Sequence, residues 1–123
     1  MNTIELTIKQ APLFKGKVWK KQIEFTQSKF ADDTLKAVAF SKDGMQQLYV
    51  FEKRIYFNEI KGVMSNNEKS IPLNNVSSVE CQSKGLFADI IITTSGALIK
   101  VEDVQVSIAQ EVAKAIEGLK INA

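Results

Sequence analysis

From Leu35 onward, short apolar runs alternate with turn residues, and this rhythm predicts strands. In the surest of them, Leu86, Ala88, Ile90 and Ile92 alternate with Phe87, Asp89, Ile91 and Thr93 in a β-branched stretch. On that alternation Asp89 is expected on the solvent face with Phe87 and Thr93. Ser95-Gly96 turns the chain into a partner strand with Ala97, Ile99 and Val101 on one face. Strands are predicted over 35–41, 46–51, 54–60, 68–73, 76–82, 86–94 and 97–102. Ser41-Lys42-Asp43-Gly44 is a turn because Asp-Gly tolerates positive φ, and Glu52-Lys53-Arg54 is a tight polar turn. Residues 62–69 read as a polar loop, and Pro72 places its strand at an edge or a bulge.

After residue 102 the period changes. Ile108, Val112, Ala115, Ile116 and Leu119 recur at helical spacing, with Gln110, Glu111, Lys114 and Glu117 on the opposite face. Ser107 with Gln110 fits a capping box, Asp103 is a competing earlier cap, and Gly118 is placed to end the helix. This amphipathic helix should lay its stripe on the sheet.

The first 34 residues predict a β-hairpin. Ile4, Leu6 and Ile8 alternate with Glu5, Thr7 and Lys9, and Pro12 and Gly16 punctuate a turn. Trp19, Ile23 and Phe25 share one parity over 17–26, although Lys21 interrupts that face. Residues 27–36 fit either a short helix or a loop, and a loop or single turn is the favoured reading.

The 123 residues suit a domain of common size, divided here into a 1–34 extension and a 35–123 main unit. Hydrophobic residues make up 45% and charged residues 24%, which argues for a folded chain with a substantial core. The net charge of +2 does not call for nucleic acid or an anionic membrane. Charge is unevenly spread: Lys9, Lys15, Lys17, Lys20 and Lys21 face Glu5 alone in the first 22 residues. A single cysteine, Cys81, no apolar leader at the N-terminus and no long apolar run fit a cytoplasmic protein.

Strands followed by one amphipathic helix suggest a small barrel with an end to be plugged. Three stretches carry a resemblance: Leu48–Phe57, Lys69–Glu80 with its Ile71-Pro72 step, and Ala88–Val101 running into the helix. On these, residues 35–119 resemble the bacterial pleckstrin-homology-like (PH-like) domains. The resemblance implies a mainly β fold: two near-orthogonal antiparallel sheets capped by the C-terminal helix. The N-terminal β extension would be an addition to it.

The chain contains no histidine, so Ser-His and Cys-His nucleophile systems and histidine metal sites are excluded. Cys81 reads as an inert, semi-buried thiol. Asp32-Asp33 reads as turn or helix-start chemistry, and Glu102-Asp103 as charge ahead of the helix. The glycines never form a phosphate-binding loop. No catalytic, cofactor or metal residue is therefore assigned, and the chain reads as a non-enzyme. Eukaryotic relatives of the fold grip lipid phosphates with basic clusters at the first hairpin, whereas here that turn offers Lys42 beside Asp43.

The candidate binding residues are Phe14, Lys17, Trp19, Lys20 and Lys21, which interleave aromatics with cations. Such a segment suits an acidic protein partner with Trp19 as anchor. It also suits nucleic acid. Equally, Trp19 can be core while the lysines keep an edge strand from pairing. The leading functional reading is a non-catalytic interaction module acting through protein contacts or self-association. A small phage or mobile-element protein that binds and inhibits a host protein is the alternative. Lipid-headgroup or nucleic-acid binding through 14–21 stands behind both.

Overall fold

A computed structural model describes residues 2–121. Two helices, α1 (Thr3–Lys9) and α2 (Gly16–Lys29), precede seven strands. Strands β1 (Leu35–Phe40), β2 (Gln46–Phe51), β3 (Arg54–Ile60) and β4 (Asn66–Pro72) form one antiparallel sheet in that order. A 3-10 turn over Leu73–Asn75 leads to β5 (Val76–Lys84), β6 (Phe87–Thr94) and β7 (Leu98–Gln105), the second antiparallel sheet. Helix α3 (Val106–Ile121) follows. The strands lie close to their expected ranges. The 62–69 loop is shorter than expected, because Asn66–Lys69 pair with Phe57–Ile60.

Strands β1 and β2 are buried on both faces over most of their length, which explains why Ala37–Phe40 and Leu48–Phe51 are unbroken apolar runs. One face presents Ala37, Ala39, Leu48, Val50, Ile55 and Phe57 to the second sheet and α3. Ile108, Val112 and Ile116 of α3 are buried in that core, with Ala115 and Leu119 packed at its margin, as their spacing predicts. The other face presents Val38, Phe40, Tyr49, Phe51 and Tyr56 to Trp19 and Ile23 of α2. Each large side chain so buried contributes about 1.5–3 kcal/mol.

The expected N-terminal β-hairpin is not formed; residues 3–29 contain two helices. In α1 the inward residues are Thr3 and Thr7, one turn apart, and Asn2 caps the helix by accepting the Ile4 N–H at 2.8 Å. Seven residues are too few to separate a period of 2 from one of 3.6. In α2 the buried residues are Trp19, Ile23 and Thr26, a helical spacing, while Phe25 is 70% exposed. Lys21 marked the error: it breaks a strand face, yet lies about 200° around a helix from Trp19. The helix runs through Lys29, so the loop expected from residue 27 begins at Phe30.

Helix α1 covers the outer edge of β1. The Val38 N–H donates to Thr3 Oγ1 at 3.1 Å, and the Thr7 hydroxyl donates to the Val38 carbonyl at 3.4 Å. Two side chains thus take the place of a neighbouring strand. In the following loop Asp33 does turn chemistry, accepting the Thr34 and Lys53 N–H groups and pairing with Arg54.

The start and end of α3 also differ from expectation. Gln105 Oε1 accepts the Ile108 N–H and the Ser107 hydroxyl, so Gln105 caps in place of the Ser107–Gln110 box or Asp103. Gly118 lies inside the helix, which continues to Ile121. Its helical cost, about 1 kcal/mol, is outweighed by Leu119 packing on the core and Lys120 donating to the Ser77 carbonyl.

Asp89 was expected in water and is 4% exposed. Between Ala88 and Ile90 the register with β7 shifts: Val104 and Val101 oppose them, and two residues, Glu102 and Asp103, stand against Asp89 alone. Asp103 takes φ 55, and its N–H donates to Asp89 Oδ1 at 3.2 Å. The Glu102 N–H donates to Gln46 Oε1 of the other sheet. Lys84 and Lys100, from the strands on either side, close over the carboxylate at 3.0 and 3.8 Å. Burial alone would raise the Asp89 pKa. The Lys84 hydrogen bond, the Asp103 N–H and the two lysine charges outweigh it and hold the carboxyl below the ordinary range.

Asp89→Ala, which orphans the Asp103 N–H, should lose about 1–3 kcal/mol in urea unfolding, and Asp89→Asn less, because the amide oxygen still accepts. A carboxyl with a depressed folded pKa stabilises above its unfolded pKa and loses that stabilisation as pH falls through the folded value. The gap between wild type and Asp89→Asn should therefore shrink below about pH 4, which thermal melts across pH will read. Gly44 has φ 76, and a Cβ there would sit 2.8–2.9 Å from the Trp19 indole. Gly44→Ala should accordingly cost on the order of 2 kcal/mol or more, seen as a lower urea midpoint with an unchanged slope.

Candidate binding surface

The inward side of α2 determines what its outward side can offer. Trp19 is 5% exposed, its ring 4.9 Å from that of Phe40 and stacked over Gly44. Beneath the helix, Gln47 donates to Gln22 Oε1 at 2.9 Å and to the Gly44 carbonyl at 3.1 Å, while the Tyr49 hydroxyl donates to Gln47 Oε1. Burial pushes the Tyr49 hydroxyl pKa well up, so this network stays neutral. At the far end of α2, Lys29 donates to Glu68 at 2.6 Å and to the Tyr56 hydroxyl, which itself donates to Glu68. The Glu68 hydrogen bond raises the Lys29 pKa, and the reciprocal bond lowers that of Glu68. Helix α2 is thereby pinned at both ends.

With that face sealed, Val18, Lys21 and Phe25 line an open groove of about 430 Å³ against Asn58, Ile60 and Val63 of the β3–β4 hairpin. Val63 is fully exposed, and Met64 beside it nearly so. An apolar row of this size on a helix and a facing hairpin is the kind of surface that marks a contact site. The Asn58 side-chain oxygen is buried with no hydrogen-bond donor among the described residues. Charge adds a sign to the surface. Lys9, Lys15, Lys17, Lys20 and Lys21 are all exposed, and no carboxylate among the described residues pairs with any of them.

The candidate residues read from the sequence separate accordingly. Lys17, Lys20 and Lys21 lie on the exposed side of α2, and Phe14, 90% exposed at φ 68, stands in the connection before it. Trp19 takes the alternative reading, as core. Val18, Phe25, Ile60, Val63 and Met64 escaped sequence reasoning. A helical reading of 16–29 would have placed Val18 and Phe25 two turns apart on one side.

The first hairpin turn forms as expected, with Asp43 accepting the Ser41 hydroxyl and the Met45 N–H. The hollow beside it holds Lys42 among Asp43, Glu59, Glu102 and Asp103, a poor cradle for a phosphate. Cys81 is half-buried in β5, and burial pushes its thiol pKa up, which disfavours the nucleophilic thiolate. Among the described residues no helix is long and apolar enough to cross a membrane.

No curated protein and no solved structure matches the chain. The sequence model of the family described as "Bacterial PH domain" matches residues 20–118, from the first turns of α2 almost to the end of α3. The two sheets of four and three strands with a C-terminal helix agree with that match, and the chain belongs to the bacterial PH domain family.

Proposed function

We propose that this domain is a non-catalytic protein-binding module that holds an acidic amphipathic helix of a partner in the groove between α2 and the β3–β4 hairpin. PH domains are generally binding modules without catalysis, which supports the general class. The observation that carries the specific reading is the exposed row of Val18, Phe25 and Val63 bordered by lysines that have no carboxylate of their own. A helix with one apolar side fits a groove whose walls are a helix and a hairpin. Acidic residues on its polar side would meet Lys17 and Lys21, with Lys20 and Phe14 at the margin. Trp19 acts from beneath, by fixing the helix that displays the row. The carboxylates around Lys42 disfavour a phosphate headgroup at the first hairpin.

The test is a pair of 20-residue amphipathic helical peptides with the same apolar side, one with Glu and Asp on its polar side and one with Lys. The acidic peptide should bind at least five-fold more tightly, and its affinity should fall as salt rises. Phe25→Ser with Val63→Ser should remove that binding while stability changes by about 0.5 kcal/mol or less. Equal affinity for both peptides, or binding untouched by the double substitution, would overturn the proposal. So would concentration-dependent dimerisation in light scattering that buries this row.

A further inference from the structure

Each sheet has two outer strands, and each outer strand has a row of backbone N–H and C=O groups to be covered, defended or used. On β1 the row is met by Thr3 and Thr7 of α1. Strand β7 lies against β1 and β2, tied there by Gln46 and by the Lys42 N–H on the Asp103 carbonyl. Strand β4 ends at Pro72 and turns Lys69 to the same side as the core-packed Ile71. Proline and an inward charge both discourage further pairing. Strand β5, nine residues long, has neither.

The pairing of β5 with β6 determines which of its groups are free. Lys84 and Phe87 flank the two-residue turn Gly85-Leu86 as a hydrogen-bonded pair, so Lys84, Gln82 and Glu80 turn their N–H and C=O groups to β6. Val79, Cys81 and Ser83 turn theirs outward, and no hydrogen-bond partner among the described residues meets them. Just ahead, the outward Ser77 carbonyl accepts Lys120 Nζ of α3 at 3.0 Å. The Val106 N–H, at the other end of α3, donates to the Leu86 carbonyl. Helix α3 therefore runs antiparallel alongside β5. Ala113 and Glu117 share the side of Lys120, at i, i+4, i+7 spacing. Ala113 is half-buried, as are Val79 and Cys81, which pack at the core margin. An alanine at that place leaves room beside the free row for the side chains of one more strand.

We infer that the outer edge of β5, alongside α3, is a docking site for an extended segment of a partner polypeptide, added to the second sheet as a fourth strand. Backbone groups carry the recognition, and the alternate residues that face Val79, Cys81 and Ala113 are small or β-branched apolar ones. A second copy paired through β5 would bring its own α3 to that side, against the exposed Glu117. The edge shares no residue with the groove on α2, so the two sites stand or fall separately.

The test uses a fluorescein-labelled octapeptide that alternates Val with Thr and Lys. Anisotropy should show saturable binding at roughly 10–500 μM. Two further peptides carry N-methyl groups at every Val or at every Thr and Lys. One set of N–H groups points at β5, so one methylated peptide should lose about ten-fold in affinity and the other stay within about two-fold. Amide hydrogen exchange should slow at Val79, Cys81 and Ser83 on binding and stay unchanged at Gln82, whose N–H already bonds β6. Ser83→Pro, which removes an outward N–H and leaves the β6 ladder whole, should weaken binding about five-fold. Phe25→Ser with Val63→Ser, which disables the groove, should leave it intact. No saturable binding up to roughly 2 mM, or equal effects of the two methylation patterns, would overturn the inference. So would a dimer in light scattering that protects the same amides without peptide.

Discussion

The outer face of the four-stranded sheet is apolar and must be covered, and the rest of the structure depends on how this is done. Phe40, Tyr49, Phe51 and Tyr56 would otherwise form a continuous aromatic sheet surface in water. Helix α2 covers it with Trp19 and Ile23, and the contact of Trp19 with Gly44 requires a residue without a Cβ at a position that also has positive φ. One glycine therefore serves both the hairpin turn and the helix above it. Because the inward stripe of α2 is determined by this contact, its outward stripe is determined too. The groove lies on the outward side of the helix that this tryptophan anchors.

A two-sheet β fold must also dispose of its strand edges and of the places where its sheets part. Here side chains do much of that work. Thr3 and Thr7 stand in for a strand along β1, and Gln46 and Asp89 accept the two N–H groups that the β7 bulge turns away from its ladder. The Lys42 N–H donates to the Asp103 carbonyl, tying the first hairpin to the same bulge. Asp89 is a charged residue in a buried place, and it is tolerated because two lysines and a backbone donor surround it. The family match begins inside α2, so most of that helix lies within it and α1 precedes it.

The distribution of charge distinguishes the candidate surfaces from one another. The hollow at the first hairpin gathers carboxylates around one lysine, whereas the run from Lys9 to Lys21 has lysines and no acid. The net charge of +2 conceals this local asymmetry. A module that sorts partners by sign of charge needs only such local asymmetry, with the apolar contacts providing most of the affinity.

The seven strands and α3 were legible in the sequence because each carries its own evidence. Alternation in 86–94, the Asp43-Gly44 turn and the 3.6 rhythm of Ile108, Val112 and Ile116 are local signals that tertiary contacts reinforce. The N-terminal helices were not legible. Their apolar residues are sparse, and Ile4, Leu6 and Ile8 satisfy two periods at once; what chooses the helix is the aromatic sheet face and the free edge of β1, both formed by residues distant in the chain. The same holds for Asp89, whose strand parity was readable but whose burial depends on lysines from two other strands. It holds again for Trp19, which alternation left open between core and anchor. The residues of the groove lie some forty positions apart and meet only because α2 lies across β3. Local pattern determined which segments are strands. Long-range burial decided which side of each faces water, because the contacts that cover a face come from residues distant in the chain.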